Sequence, residues 1–126
     1  MTPTQRTLAA MREQGRLCAI AEKFNAFVGP HGIRQDLFGF IDIVAIDPVK
    51  GIVAVQSCGQ DWSGHVKKML EERNENMYAW IKHAPIELWA WRKVKLQRGG
   101  KAERWSPRVG DVKLLADGTL AIEERK

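Results

Sequence analysis

The alternation of apolar and polar positions divides the chain into stretches of two periods. From Thr4 to Gln14, a Thr near the start, Leu8 and Met11 at helical spacing and Gly15 as a stop predict a first helix. Leu17 to Phe24 is apolar and alternating, as in a strand. Phe27 to Gly39, broken by Gly29-Pro30 and Gly32, reads as a loop. Phe40 to Ile46 and Ile52 to Gln56 are β-branched and nearly all apolar, and Asp47-Pro48-Val49-Lys50-Gly51 between them is a turn. Together they predict a hairpin with both faces largely covered. After Asp61 or Ser63 as a cap, Val66, Met69, Leu70, Met77, Trp80 and Ile81 recur at three- and four-residue steps. That stripe predicts one long helix, with Lys67, Lys68, Glu71, Glu72 and Glu75 off it and His83-Ala84-Pro85 as its end. Ile86 to Lys95 reads as a strand with Trp89 and Trp91 on one face. Arg104 to Glu124 reads as one or two more strands, turning at Ala116-Asp117-Gly118.

This order predicts a mixed α/β sandwich with helices on a central sheet. A chain of 126 residues fits one domain, 1–126, and can bury a core without crosslinks. Its longest apolar runs, such as Ile43–Ile46, are too short to span a bilayer, and Met1 to Arg12 carries Arg6 and Arg12 in place of a secretory apolar stretch. The expectation is a soluble cytoplasmic protein with no membrane partner. Cys18 and Cys58 are then expected as free thiols.

Charge changes the picture in one segment. The whole chain has 20 basic against 15 acidic residues, but Arg92 to Arg108 holds Arg92, Lys93, Lys95, Arg98, Lys101, Arg104 and Arg108 against Glu103 alone. Such a run reads either as a footprint for nucleic acid or as a solubilising hairpin whose lysines guard a strand edge.

Asp42 and Gln56 are the polar exceptions inside the apolar hairpin. An acid buried in a strand is costly unless it is paired or holds a cation. Asp36, in the preceding loop, can bend back towards Asp42, and hard divalent cations want oxygen ligands of this kind. The other reading is a hydrogen bond between Asp42 and Gln56, or from Arg34. A zinc site from Cys18, His31, Cys58, His65 and His83 lacks CxxC or HxxxH spacing, and a Cys58–His65 nucleophile lacks an orienting third group. Trp62, Trp89, Trp91 and Trp105 can stack on bases, although packing is favoured for the strand tryptophans and Trp80 lies on the core stripe.

Phe40-Ile-Asp42-Ile-Val-Ala-Ile, a short turn and Ile52-Val-Ala-Val-Gln56-Ser57-Cys58 resemble the core of the PD-(D/E)XK nuclease superfamily, closest in layout to Holliday-junction resolvases and virus-type replication-repair nucleases. The resemblance covers roughly residues 4 to 82. The stretch Arg34-Gln-Asp-Leu-Phe-Gly-Phe-Ile-Asp42 also looks like a family of short phage and bacterial proteins. In the superfamily an Asp opens the hairpin and a Glu-X-Lys tripeptide closes it; the acids and the carbonyl of X hold Mg²⁺, and the Lys positions or activates water. Residue by residue, Asp42 matches the Asp, Gln56 stands at the Glu, Ser57 at X and Cys58 at the Lys.

The resemblance implies a restriction-endonuclease-like αβββαβ core, a mixed central sheet flanked by helices, with extra C-terminal strands. It implies Mg²⁺ or Mn²⁺, weakly held if at all, at Asp42, Gln56, Ser57 and Asp36, with Glu22 as a further acid. Asp42 and Gln56 would be catalytic, with Lys67 or Lys68 replacing the motif lysine and His65 as a base or phosphate contact. Nucleic acid, in the first place DNA, would meet Arg34 and His65 and, on the charge reading, Arg92, Lys93, Lys95, Arg98 and Lys101, and a homodimer is compatible with the relatives. The neutral Gln56 and the thiol at Cys58 leave two functions open: a metal-dependent nuclease with a degenerate site, or a catalytically inactive nucleic-acid-binding relative.

Overall fold

The computed structural model describes residues 1–72 and 74–126. The elements run α1 (Pro3–Glu13), β1 (Leu17–Ile20), β2 (Lys23–Asn25), β3 (Ile33–Gln35), β4 (Ile43–Asp47), β5 (Gly51–Cys58), α2 (Trp62–Glu71), α3 (Glu75–Ile81), β6 (Ile86–Lys95), β7 (Glu103–Leu114) and β8 (Leu120–Glu124). The mixed α/β class read from the pattern is observed. Six strands form one sheet in the order β1-β4-β5-β6-β7-β8, and β2 pairs with β3 separately. Every neighbouring pair in the large sheet is antiparallel except β5–β6, which is parallel and is reached through α2 and α3.

Helix α1 starts where Thr2 caps it. The Thr2 hydroxyl accepts from the Gln5 N–H (3.2 Å) while the Thr2 N–H donates to Gln5 Oε1 (3.0 Å), a reciprocal capping box. Its buried face, Leu8 and Met11, packs on Ile43, Ala45, Val53, Val55, Trp89 and Trp91 on one side of the sheet. Trp62, Met69 and Met77 from α2 and α3 pack on Ala54, Ile86, Leu88, Ala90 and Val112 on the other side. The period-2 rule therefore sorts β5 and β6: odd residues face α1, and even residues, Gln56 and Cys58 included, face α2 and α3. Cys18 and Cys58 are free thiols, and no helix among the described residues is long and apolar enough to cross a membrane.

Three boundaries differ from the pattern. The strand expected over Leu17 to Phe24 breaks after Ile20: Ala21 N–H still donates to Asp42 C=O (2.8 Å), and Lys23–Asn25 then turns to pair with Ile33–Gln35. The expected loop therefore contains β3. The long helix is two helices, because Asn74 offers a new cap, its side chain accepting from Asn76 N–H at 2.9 Å. Apolar periodicity continues across such a break and does not reveal it. The strand expected from Phe40 starts only at Ile43, for a reason that matters to the site. Phe38 and Gly39 both have positive φ (54° and 80°), as a primed hairpin turn needs, and Leu37 and Ile41 exchange backbone hydrogen bonds of 3.1 and 3.0 Å. Asp36 and Asp42 are the next residues out on either side of that bridge.

Candidate metal centre and nucleic-acid interface

This miniature hairpin brings together two acids six positions apart in the sequence, and the break after β1 supplies a third. One carboxylate oxygen from each of Glu22, Asp36 and Asp42 lies within 4.8 Å of the others. Asp42 is buried, while Glu22 and Asp36 are half-buried. Asp42 Oδ2 accepts from the Ser57 backbone N–H at 2.7 Å, so Asp42 is anchored to the end of β5, the strand that carries Gln56. Ser57 is itself fixed on the opposite side: its hydroxyl lies 2.8 Å from Thr7 Oγ1, which donates to Pro3 C=O (2.9 Å) and accepts from Trp91 Nε1–H (2.9 Å). Thr7 has one proton, committed to Pro3, so Ser57 is the donor to Thr7. Helix α1 thus holds the backbone amide that holds Asp42. Nothing in the sequence pattern marked Thr7 for this part.

The hydrogen bonds expected between Asp42 and Gln56, or to Arg34, are not formed. Arg34 Nη1 pairs instead with Glu22 Oε1 at 2.9 Å, and Gln56 Oε1 is buried with no partner among the described residues. Burial is the main force pushing the Asp42 carboxyl up from its ordinary 3.8 to about 7, helped by a shared hydrogen bond with Asp36 and by the charges of Asp36 and Glu22; the Ser57 amide opposes the shift. Among the described residues, three acids against one exposed arginine leave the cluster short of positive charge. An all-oxygen donor set of this kind suits a hard divalent cation such as Mg²⁺ or Mn²⁺.

A polar cleft of about 170 Å³ opens beside the acids, lined by Asp36, Gln56, His65, Lys68, Glu72 and Asn74 among others. His65 Nε2, like Gln56 Oε1, is buried without a partner among the described residues. Buried polar atoms are normally satisfied, so these two leave the cleft with uncommitted hydrogen-bonding capacity for a ligand or water. Burial and then the nearby Lys68 lower the His65 pKa, against Asp61 and Asp36, which raise it. Lys68 lines the cleft, whereas Lys67, also exposed, does not. Burial first, then Asp42 and Asp61, push the Cys58 thiol up to about 11, so it stays protonated and neutral near neutral pH. Glu72 and Asn74 had no signal of their own in the sequence. A larger groove of about 590 Å³, lined by Phe38, Ile52, Ala79 and Trp80 among others, does not include the acid cluster.

The basic run divides by strand parity. Arg92 lies on the α2 side with its neighbour Ser106, and Arg104 pairs with Val94 on that side, while Lys93 and Lys95 lie on the α1 side. The tryptophans are committed to packing: Trp89 and Trp91 are buried, and Trp105 carries Arg6 at 4.1 Å and Lys93 at 5.3 Å from its ring centroid. Arg108 lies 4.6 Å from the Trp62 centroid and makes a forked pair with Glu124 (2.9 and 2.8 Å).

Comparison of the chain with known protein families, characterised proteins and solved structures returns no match to any of them.

Proposed function

We propose that the chain is a metal-dependent nuclease that hydrolyses nucleic-acid phosphodiesters, DNA in the first place, through a PD-(D/E)XK-like hairpin with redistributed ligands. The carrying observation is the convergence of Glu22, Asp36 and Asp42 within 4.8 Å beside a cleft holding Gln56, His65 and Lys68. The order α1, β1, β4, β5, helical crossover, β6 supports an αβββαβ core, with β2–β3 as an excursion and β7–β8 as extra strands. Asp36 supplies the negative charge that Gln56 lacks, and Asp42, Asp36 and Glu22 would hold Mg²⁺ or Mn²⁺. An ion bound there would neutralise charge on a phosphoryl oxygen and activate water for attack. Gln56 Oε1 adds an uncommitted acceptor, and Lys68 brings positive charge towards the phosphate. His65, whose pKa burial lowers, would take the proton.

The second reading, an inactive nucleic-acid-binding relative, is favoured by Cys58, whose neutral thiol cannot replace the motif lysine. One substitution series separates the two. In the enzyme, Gln56→Glu adds a carboxylate to a centre whose weak point is affinity. Mn²⁺ binding by calorimetry is expected to tighten at least about tenfold, and metal-free thermal stability is expected to fall. Gln56→Glu with Cys58→Lys is expected to raise cleavage above the wild type. Wild-type protein that cleaves neither DNA nor RNA with Mg²⁺ or Mn²⁺, and binds both indifferently to these changes, identifies the relative.

A further inference from the structure

The β6–β7 hairpin outgrows the sheet that supports it. On one side β5 ends at Cys58, opposite Ala90; on the other, β8 ends at Glu124, opposite Gly110, with one further backbone bond from Arg125 to Val109. Yet β6 and β7 stay paired from Trp91↔Pro107 to Lys95↔Glu103, and Leu96 N–H still donates to Ala102 C=O. The turn that closes them is Gln97-Arg98-Gly99-Gly100, with Gly100 N–H donating to Gln97 C=O and Gly99 at φ 77°. From Trp91 to Arg98 the chain is thus a two-stranded ribbon with no strand on either edge, roughly 25 Å long at about 3.3 Å per residue. Its base is covered on the α1 side, where Trp91 is buried and Trp105 carries Arg6.

The ribbon projects from the functional end of the sheet. β5 and β6 are parallel, so the carboxyl end of β5, with Gln56 and Cys58, points the same way as the overhang. β4 is antiparallel to both, so its amino end, preceded by Asp42, lies at that end too. The ribbon's charge is mostly positive: Arg92, Lys95, Arg98, Lys101 and Arg104 are exposed and none forms an ion pair among the described residues, with Glu103 as the one acid between Trp91 and Pro107. Guarding an edge against aggregation needs charge of either sign. Five unpaired cations spread over both faces and the tip, against Glu103 alone opposite Lys95, instead match a polyanion lying along the ribbon.

We infer that this ribbon seats in the major groove of duplex DNA and presents the neighbouring backbone to the acid centre. The inference rests on the nuclease reading for its orientation and names the substrate class of that site. The dimensions agree: two strands about 4.8 Å apart, with side chains, make a body about 10 Å across, against a B-DNA major groove about 12 Å wide and 8.5 Å deep that admits such a ribbon. The A-form major groove of duplex RNA is too narrow for side chains to read, and single strands offer no groove. Arg92 and Arg104, on the α2 side, face the phosphates nearest the centre, Lys95 the opposite wall, and Arg98 and Lys101 the groove floor or its far rim.

The test is binding of the full chain in EDTA, where no cleavage occurs, to duplex DNA, duplex RNA and single-stranded DNA of one sequence, and to duplex DNA glucosylated on 5-hydroxymethylcytosine to fill the major groove. Plain duplex DNA is expected to bind at least about tenfold tighter than the other three. Arg92→Ala with Arg104→Ala is expected to reduce the slope of log affinity on log salt by about 2. Arg98→Ala with Lys101→Ala is expected to erase the penalty of glucosylation. Equal binding of plain and glucosylated DNA, equal binding of duplex RNA, or heparin binding as tight as DNA would overturn the inference. Groove-dependent binding with no cleavage in Mn²⁺ would instead remove the nuclease reading and leave the ribbon's partner standing. A melting temperature unchanged in the ribbon variants checks that each is folded.

Discussion

Asp42→Asn is expected to abolish divalent-cation binding and cleavage while making the metal-free protein more stable at pH 8 by about 2 kcal/mol. The carboxyl lies against Asp36 and Glu22, is mostly shielded from water, and titrates near 7 where an unfolded chain titrates near 3.8. The folded protein therefore holds more protons than the unfolded one between those values. Stability from this group is complete below about pH 4 and is lost as pH rises through 7. Each pKa unit is worth about 1.4 kcal/mol, and water reaching the carboxyl through the cleft screens part of the total. Asparagine removes the charge and keeps the shape. Its Oδ1 can still accept from Ser57 N–H, and its amide can donate to Asp36, where the wild-type proton sat. Thermal melts in EDTA should show the two proteins alike at pH 4 and the variant ahead at pH 8. Mn²⁺ should raise the melting point of the wild type alone, and more at pH 8 than at pH 6. A wild type that is more stable at pH 8 than at pH 5 without metal, or a variant that still responds to Mn²⁺, would sink the account.

How far the sequence carried the fold is seen best in the hairpin. Runs of β-branched residues around Asp47–Gly51 located the β4–β5 hairpin, though not where β4 begins, because burial on both faces leaves little other use for such runs. The same logic marked Asp42 and Gln56 as exceptions. What could not be read was which acids would meet. Asp36 comes to Asp42 through the Leu37–Ile41 bridge, which depends on two successive positive-φ residues, one of them Phe38, and Glu22 joins them through the break after β1. An aromatic residue is a poor advertisement for that conformation, so Phe38-Gly39 gave no turn signal. The split between α2 and α3 was hidden for another reason. Apolar spacing survives a change of helix axis, and only the capping role of Asn74 records it. The division of the basic run into two faces follows from strand parity, but the length of its overhang depends on where β5 and β8 stop, which no local pattern encodes.

The largest stability effect expected lies on the other face of the sheet, at a residue the sequence reading passed over. Glu87→Gln is expected to cost about 3–5 kcal/mol, a large share of the roughly 5–15 kcal/mol that holds a domain together. Glu87 is fully buried at the start of β6 and accepts from Arg16 at both oxygens (2.8 and 2.9 Å), from Trp89 Nε1 (3.0 Å), Arg125 Nη2 (2.8 Å) and Lys50 Nζ (3.3 Å). Asp47 completes the pairing of Arg16 at 2.8 Å, and Asp111 that of Arg125 at 2.8 and 2.6 Å. Among the described residues three cations thus meet three anions and the cluster is neutral. Burial alone would raise the Glu87 pKa, but the hydrogen bonds of Arg16, Trp89 and Arg125 outweigh it and hold it well below the usual carboxylate range. The Lys50 and Val49 amides, then Arg16, lower Asp47 to about 2. Stability from both acids is present above pH 4.5 and is lost as pH falls, opposite in sign to Asp42, so the metal-free protein should be most stable near pH 4–5. A glutamine at 87 turns a donor towards donors and leaves Arg16, whose side chain is 3% exposed, charged and underpaired; Arg125 and Lys50, at 33% and 42%, can swing to water. Removing both trapped charges together should therefore cost less than removing one. Arg16→Met with Glu87→Leu is expected to recover at least half of the Glu87→Gln loss, the remainder reflecting Trp89 Nε1 left without its acceptor and Asp47 without Arg16. Urea melts of the single and double variants decide it. A loss below about 1 kcal/mol for Glu87→Gln, or a double variant as unstable as the sum of its singles, would show that packing of β6 rather than charge holds this face.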